Sequence, residues 1–259
     1  MTTHTTTPVL ETRELSVQFG GHVAVNRVSC RFDSGTLTAI VGPNGAGKTT
    51  YFNLISGQLP ATEGEVRLRG RVLGGRSAAH RARAGLGRAF QLTQLFPRLS
   101  VADNLRLVVQ AKLGLGFRFW QPASHLIAVD REVEALLERV DLAGRAEVPA
   151  SQLSHGGQRR LEVGMMLALD PEVMMFDEPT AGMSLDEAPV VLNLIRSIKE
   201  AGEKTILLVE HKMDVIRSLA DRIIVLNNGT LLADGEPAEV MSLPSVRQAY
   251  LGESGEGAT

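Results

Sequence analysis

The chain has 259 residues, enough for one large domain or two modest ones with a substantial core. Its 27 basic and 29 acidic residues give a net charge of −2, which argues against a protein that coats nucleic acid by charge alone. The apolar fraction of 44% argues against disorder, and the single cysteine, Cys30, excludes an internal disulfide and fits a small buried residue in a reducing compartment.

The first third of the chain is typical of strands that lead into a glycine-rich loop. Residues 1–8 are rich in threonine and have neither the basic segment nor the apolar core of a secretory signal. Gly20 and Gly21 indicate a turn, and helical periodicity over 48–56 ends at Gly57. Strands are predicted at residues 9–19, 23–32, 36–41, around 66–68 and at 86–90.

The middle of the chain changes to helical periodicity. Apolar residues share one face of a predicted helix over 101–112 and of a second over 129–140. Residues 114–122 contain two glycines, two phenylalanines and the only tryptophan, and are predicted to form the loop between these helices. We therefore expect a helical insertion here.

Strands and helices alternate after the insertion. Strands are predicted at 173–176, 205–209 and 222–226, and helices at 187–199 and 211–219. This alternation is typical of a mostly parallel sheet with helices on both faces. The longest apolar runs are far below the ~20 residues that a bilayer requires, so a membrane role would depend on a partner protein. Residues 252–259 are expected to be frayed.

Residues 42–49 fit the pattern G-x-x-x-x-G-K-[ST] between a predicted strand and a predicted helix. Glycines let successive N–H groups point at phosphate oxygens, and the start of the helix adds partial positive charge. Lys48 is expected to contact the β- and γ-phosphates, and Thr49 to offer its hydroxyl to Mg²⁺. An ordinary glycine turn is the alternative, and the strand–loop–helix context disfavours it.

Two adjacent carboxylates, Asp177 and Glu178, follow an apolar strand. They are expected at the carboxyl edge of a parallel sheet, where ligands bind. Neighbouring side chains of a strand point in opposite directions, so the two acids should have different tasks. Asp177 is placed to hold Mg²⁺, and Glu178 to orient and deprotonate the attacking water. A strand-end cap is the alternative for such a pair.

The segment 153–158, Leu-Ser-His-Gly-Gly-Gln, resembles the LSGGQ signature of the ATP-binding-cassette (ABC) ATPases. The resemblance covers nearly the whole chain, because 42–49 resembles the Walker A loop and 174–177 resembles Walker B. His155 stands where the family commonly has glycine. Ser154 and Gly156 would still present a hydroxyl and N–H groups to a γ-phosphate, and a helix that starts near Gly157 would aim its positive end there.

The resemblance gives roles to four more residues. Gln91 resembles the Q-loop glutamine, His211 the switch histidine and Phe19 the aromatic residue that stacks on adenine. Asp186 falls where the acidic residue of the D-loop lies. The alternatives are a surface glutamine, a structural histidine, a core phenylalanine and an acid at a helix start.

Three sets of site residues follow from the resemblance. The implied catalytic set is Glu178, His211 and Gln91. The implied Mg²⁺ ligands are Thr49, Gln91 and Asp177. The implied ATP-binding residues are Phe19, Gly42, Pro43, Asn44, Gly45, Ala46, Gly47, Lys48, Thr49, Thr50, Ser154, Gly156, Gly157 and Gln158.

The resemblance also implies a fold and an assembly. The expected fold is α/β, a P-loop NTPase (RecA-like) core with an antiparallel β subdomain and an inserted α-helical subdomain. A single ABC ATPase domain over 1–259 would have its core at 9–91 and 165–251, its helical subdomain at about 92–164 and flexible ends at 1–8 and 252–259. In this family two cassettes pair head to tail around ATP, so one loop and one signature require a second cassette, identical or related.

Further segments resemble the branched-chain amino acid importer ATPases, namely Phe90-Gln91 with 95–97, then 156–162, 209–213 and 249–253. This implies ATP and Mg²⁺ as cofactors, integral-membrane permease subunits, indirectly a substrate-binding protein, no nucleic acid, and a place on the cytoplasmic face of the inner membrane. Importers of amides, urea or aromatic acids, or a soluble non-transport ABC ATPase, remain alternatives. A small P-loop kinase would not need 153–158 or His211.

The permease is expected to dock on the helical insertion and the stretch after Gln91. Leu92, Leu95, Phe96 and Leu99 motivate this expectation, and the alternative is that they form the core of the helical subdomain.

Overall fold

The computed structural model describes residues 8–75, 77–89, 95–115 and 123–251. The strands are β1 (Leu10–Phe19), β2 (His22–Phe32), β3 (Leu37–Val41), β4 (Glu63–Leu68), β5 (Arg71–Val72), β6 (Leu86–Ala89), β7 (Val173–Asp177), β8 (Thr205–Val209), β9 (Arg222–Asn227) and β10 (Thr230–Gly235). The α-helices are α1 (Lys48–Ser56), α2 (Ala78–Arg83), α3 (Val101–Lys112), α4 (Ala123–Arg139), α5 (His155–Leu169), α6 (Ala188–Glu200), α7 (Met213–Leu219), α8 (Pro237–Ser242) and α9 (Pro244–Leu251).

The strands form two sheets of different kinds. One is a four-stranded sheet in the order β2-β1-β4-β5, in which neighbours run antiparallel. The other has the order β10-β9-β3-β8-β7-β6; the pairs β9-β3, β3-β8 and β8-β7 are parallel, and β10 is antiparallel at one edge. Every residue of β3, β7 and β8 is buried, as in a sheet covered on both faces. The predicted α/β class is confirmed.

One core cluster joins the two sheets through α1. It contains Phe32 from the antiparallel sheet, Tyr51 and Phe52 from α1, and Val209 and Leu226 from the parallel sheet. Tyr51, Phe52 and Phe32 are fully buried. Because α1 packs on both sheets, the loop that precedes it is held at a fixed place at the end of β3.

The chain divides into two compact units. The first comprises Met1–Gly87, Glu172–Glu178 and Ile198–Thr259, and the second Arg88–Pro171 and Pro179–Ser197. In the second unit α3, α4 and α5 pack on one another through the buried faces that their periodicity predicts. The expected insertion at about 92–164 falls in this second unit, and its boundaries stay a prediction.

Some predicted elements need correction. The helix predicted at 129–140 starts earlier, at Ala123, and the helix predicted from residue 211 starts at Met213. Most of the predicted loop at 114–122, the residues 90–94 and the predicted flexible ends lie outside the described residues. The elements that the sequence analysis missed are β5, α2, β10, α8 and α9.

Candidate functional site

The loop between β3 and α1 bends through glycines that other residues could not replace. Gly42 has φ 147°, and a Cβ there would lie 2.1 Å from the Leu226 carbonyl oxygen. Gly47 has φ 94°, and its Cβ would lie 2.5 Å from the Ala24 carbonyl oxygen. The Gly229 N–H also donates to the Ala46 carbonyl at 3.1 Å. These close approaches to the backbone of neighbouring strands therefore constrain the path of the loop.

The start of α1 is open for an anion. Gly47 is its N-cap, no described side chain caps the helix start, and its first turn has no acidic residue. First-turn N–H groups without intrahelical partners, together with the helix dipole, attract phosphate. Lys48 is buried, and its Nζ donates to the carbonyl oxygens of Gly42 at 2.6 Å and Pro43 at 2.8 Å. These bonds fold the loop around the ammonium group at the place that the motif predicts for phosphate.

Two strand ends bring a carboxylate and an imidazole together. Asp177 ends β7 in register with Val209 of β8, and the Glu178 N–H donates to the Val209 carbonyl at 2.9 Å. Glu178 then lies 2.6 Å from His211, measured from Oε1 to Nε2. Glu178 has φ 49°, a left-handed conformation that is uncommon for a side-chain-bearing residue and is found at functional sites. Asp177 is almost fully buried, whereas Glu178 and His211 are partly exposed.

Loop, carboxylate and imidazole share one cavity of about 270 Å³. The residues that line it are His22, Ala24, Asn44, Gly45, Ala46, Gly47, Lys48, Thr49, Thr50, Glu178 and His211. The cavity thus brings the loop at the start of α1 together with a carboxylate and an imidazole, both of which are groups of the kind that act as general bases. Its roles in binding and catalysis stay predictions, as does the predicted Mg²⁺ site at Thr49 and Asp177, whose oxygen donors are of the type that Mg²⁺ prefers.

One predicted ATP-binding residue, Phe19, does not line this cavity. Phe19 ends β1 with 49% of its surface exposed, which excludes the core alternative, but it is not part of the lining. His22 and Ala24, on the next strand of the same hairpin, do line the cavity, and the sequence analysis gave neither of them a role. Gln91 lies outside the described residues.

The signature segment forms the start of α5 in the second unit. Ser154 is the N-cap, and its Oγ accepts the Gly157 N–H at 3.3 Å. The helix therefore begins at His155, two residues earlier than expected. His155 is exposed, so the departure from the family pattern places no side chain in the core. The Gln158 side chain donates to the carbonyl oxygens of Leu153 at 3.3 Å and Ala150 at 3.5 Å, which ties the helix to the preceding turn.

Glu187 is a neighbour of the signature that the sequence analysis did not identify. Its Oε1 accepts the Gly156 N–H at 3.2 Å, and the Ser154 hydroxyl donates to the same carboxylate. The Ser154 hydroxyl and then the Gly156 N–H hold the pKa of Glu187 below its ordinary value. Ser184, three residues earlier, accepts the Glu187 N–H through its Oγ at 3.3 Å. The S-x-x-E spacing of Ser184 and Glu187 is a helix-start pattern that accounts for this local bond, but it does not predict the contact with Gly156. Asp186, the predicted D-loop acid, is exposed in the same turn.

Comparison with known proteins gives one family and a consistent set of relatives. The family model for ABC transporters matches residues 25–181. The high-affinity branched-chain amino acid transport ATP-binding protein LivG of Salmonella typhimurium is 39% identical over 255 residues, which covers 95% of this chain and 99% of that protein. LivG of Escherichia coli K12 is 38% identical, and BraF of Pseudomonas aeruginosa is 37% identical, with the same coverage of each chain.

Solved structures agree with this. The ADP conformation of MJ1267, an ATP-binding cassette of an ABC transporter, has a TM-score of 0.79 at 30% identity and matches 95% of this chain and 100% of that chain. A nucleotide-free ATP-binding cassette from an ABC transporter has a TM-score of 0.78 at 28% identity, over 93% of this chain and 98% of its own. Among the helices that the structure describes, none combines the length and the apolar character needed to cross a bilayer.

Proposed function

The chain belongs to the ABC transporter family as an ATP-binding domain, and from this premise we propose that it hydrolyses ATP to drive import of branched-chain amino acids. The observation that carries the proposal is the single cavity in which the open start of α1 faces the Glu178–His211 pair.

Nucleotide binding is assigned to the loop. The N–H groups at the start of α1 hold the phosphate oxygens, and Lys48 transfers its contacts from the loop carbonyls to the β- and γ-phosphates. Its burial strengthens this charge–charge interaction, because few water molecules screen it. Phe19 is exposed at a strand end and is available to stack on adenine.

Hydrolysis is assigned to Glu178 and His211. The carboxylate orients the attacking water and accepts its proton, and the 2.6 Å contact with His211 fixes the position of that carboxylate. The Thr49 hydroxyl and the Asp177 carboxylate would hold Mg²⁺, which offsets phosphate charge when it is bound. Gln91 is proposed as a further Mg²⁺ ligand, and this proposal rests on the family resemblance alone.

The complete site is proposed to need a second cassette. One chain carries one loop and one signature, and these lie in different compact units. Ser154 and Gly156 would contact the γ-phosphate of ATP held by the partner cassette, identical or related. ATP then stabilises the closed pair and hydrolysis releases it, because the γ-phosphate contacts exist in only one state.

The proposed cargo and location follow from the relatives. LivG and BraF are named as ATP-binding proteins of branched-chain amino acid transport and match nearly their whole length. We infer a cytoplasmic position beneath permease subunits, with a substrate-binding protein on the other side of the membrane. Amides, urea and aromatic acids stay alternative cargoes.

The permease is proposed to contact the segment before α3. Phe96 is 49% exposed and Leu99 is 36% exposed, so neither is a core residue, and Leu92 lies outside the described residues. Buried Asn104 shapes this segment, because its side chain bonds both the N–H and the carbonyl of Phe96. Changing Leu95 and Phe96 to polar residues should weaken co-purification with the permease.

The test is reconstituted transport. The chain is co-expressed with the permease subunits that co-purify with it and with a binding protein for branched-chain amino acids, and uptake of labelled leucine is measured in vesicles that contain ATP. We expect ATP-dependent uptake that unlabelled isoleucine and valine compete with, and no uptake with Lys48→Ala. Uptake of urea, an amide or an aromatic acid instead would contradict the proposed cargo. Failure of the active ATPase to co-purify with any permease from membranes would contradict the transport function.

A further inference from the structure

The signature segment is occupied by a carboxylate of its own chain. The Gly156 N–H donates to Glu187 at 3.2 Å, and the Ser154 hydroxyl donates to the same carboxylate. The same Ser154 Oγ also accepts the Gly157 N–H. The two donors that the proposed function offers to a γ-phosphate are therefore already engaged.

The packing around Gly156 shows that this contact is close. A Cβ on residue 156 would lie 3.0 Å from the Cβ of Glu187 and 3.1 Å from its Oε1. The Glu187 side chain thus lies against the first turn of α5 because residue 156 has no side chain. Its backbone is held separately, since its N–H donates to Ser184 and its carbonyl accepts the Val190 N–H at 3.1 Å. The carboxylate can leave Gly156 by rotation of its own side chain.

The two helix starts of the proposed site differ in this respect. The start of α1 has no acidic residue in its first turn and no side-chain cap among the described residues, so it is open to phosphate. The start of α5 already carries the Glu187 carboxylate, and the Ser154 hydroxyl and the Gly156 N–H lower the pKa of that carboxylate. The start of α1 is therefore open to an anion, whereas the start of α5 already holds a carboxylate of the same chain.

We propose that Glu187 is an internal competitor for the γ-phosphate at the signature segment. This rests on the proposed function, in which ATP on the partner cassette binds there. Carboxylate and phosphate are both anions that need the same two donors and the same positive helix end, so they exclude each other. The apparent affinity of the signature for ATP on the partner cassette decreases as fewer chains have an unoccupied signature. Glu187 thereby raises the ATP concentration at which two cassettes close.

The test measures ATP-dependent pairing of cassettes. Glu178→Gln is made in every chain to prevent turnover, and ATP is titrated while mass is followed by light scattering, with the chain alone or with the cassette that co-purifies with it. Glu187→Gln keeps the side-chain shape and removes the charge, and neutral hydrogen bonds are about half as strong as charge-assisted ones. We expect the half-maximal ATP concentration to fall by about threefold or more, and to fall again with Glu187→Ala.

Glu134→Gln is the matched control, because it removes the same charge from an exposed position on α4 and should leave the ATP requirement unchanged. An unchanged or higher ATP requirement in Glu187→Gln overturns the proposal and makes Glu187 a positioning residue for the signature. If Glu187→Ala does not fold, Glu187→Gln alone decides. If Glu178→Gln shows no ATP-dependent pairing at all, the proposed function itself fails, which is a distinguishable result.

Discussion

The Glu178–His211 contact is the most specific chemical feature of the first unit. Its two side chains are separated by 33 positions, and only the alignment of β7 with β8 brings them to 2.6 Å. Neither residue type is informative alone, because a carboxylate after a strand often caps it and a single histidine is usually structural. Their shared cavity with the anion cradle is what favours a catalytic role.

We predict that Glu178→Gln lowers the rate of ATP hydrolysis by roughly 100-fold or more while ATP still binds. His211→Ala should also lower kcat with little effect on KM, because it removes the group that holds the carboxylate. The double variant should be no slower than Glu178→Gln, since the pair acts as a unit. Independent, multiplicative losses in steady-state kinetics would show that the contact has no catalytic meaning.

Cys30, Thr12 and Tyr51 form a buried hydrogen-bonded cluster between the antiparallel sheet and α1. The Cys30 N–H donates to Thr12 Oγ1 at 3.0 Å, and that hydroxyl lies 2.7 Å from the Tyr51 hydroxyl. Burial raises the pKa of the Cys30 thiol to about 11, and burial likewise raises the pKa of Tyr51. The expectation that Cys30 is buried is confirmed. Its link through Thr12 to Tyr51, about one helical turn after Lys48, was not predicted from the sequence.

Alkaline pH should therefore destabilise the fold through Cys30. Its pKa is higher in the folded state, so its contribution is fully present below about pH 9 and is lost as the pH rises to about 11. This shift corresponds to about 3 kcal/mol of unfolding free energy. Denaturant unfolding from pH 8 to 11 should show a shallower decline for Cys30→Ala than for the wild type. Parallel declines would mean that the thiol is not in a desolvating site.

At the scale of elements, the glycines of the loop between β3 and α1 differ in how strongly their surroundings exclude a side chain. Gly42 faces the Leu226 carbonyl, whereas Gly45, with φ 76°, has open space where a Cβ would be. We predict that Gly45→Ala costs about 1 kcal/mol of stability from backbone strain alone. Gly42→Ala should cost more than about 3 kcal/mol, because a backbone carbonyl must move. Thermal unfolding without nucleotide measures both, and equal losses would contradict the constrained path of the loop.

The end of α1 is held by an arginine from α2. Arg81 is buried, and its Nη1 donates at 2.7 Å to each of the carbonyls of Leu54 and Ile55. A cation at a helix C-terminus bonds the last carbonyls of the helix and interacts favourably with the helix dipole. Burial also lowers the pKa of Arg81.

We expect Arg81→Met to lower the free energy of unfolding by about 3 kcal/mol, since hydrogen bonds from a charged group are worth about 1.5–3 kcal/mol each. Arg83→Met changes an exposed arginine of the same helix and should stay within about 0.5 kcal/mol. Urea unfolding distinguishes the two. A large loss in both variants would mean that α2, rather than the bonds to α1, carries the effect.

Elements marked by a buried apolar run or a clear helical period were predictable from the sequence, and short helices were not. The bounds of α1, α3 and β8 match their predicted ranges, because buried apolar runs and clear stop signals mark them. α2 and α8 have six residues each, too few for a period to emerge. β10 was missed although Asn228-Gly229 precedes it; both have positive φ, as the hairpin turn requires.

At the scale of the whole molecule, sites made of consecutive residues could be predicted from the sequence, whereas sites made by long-range contacts could not. The cradle at 42–49 could be read from sequence because all its parts are consecutive. Glu187 could not, because 31 positions separate it from Gly156 and only tertiary packing joins them. Likewise His22 enters the cavity because the β1–β2 hairpin brings it there, and a single histidine carries no such information in sequence.

In the proposed function, the chain holds ATP at its loop and completes the site of another chain with its signature. The loop at 42–49 and the signature at 153–158 lie in different compact units, in keeping with that proposed division. It follows that hydrolysis per chain depends on assembly and not on the chain alone.

The most direct test measures the rate of ATP hydrolysis per chain and the mass of the same sample, over a range of chain concentrations, with and without the co-purifying cassette. The account predicts that the rate rises as paired cassettes accumulate and reaches a plateau when pairing is complete, with Lys48→Ala inactive throughout. Full-rate hydrolysis by a preparation that stays strictly monomeric would contradict it.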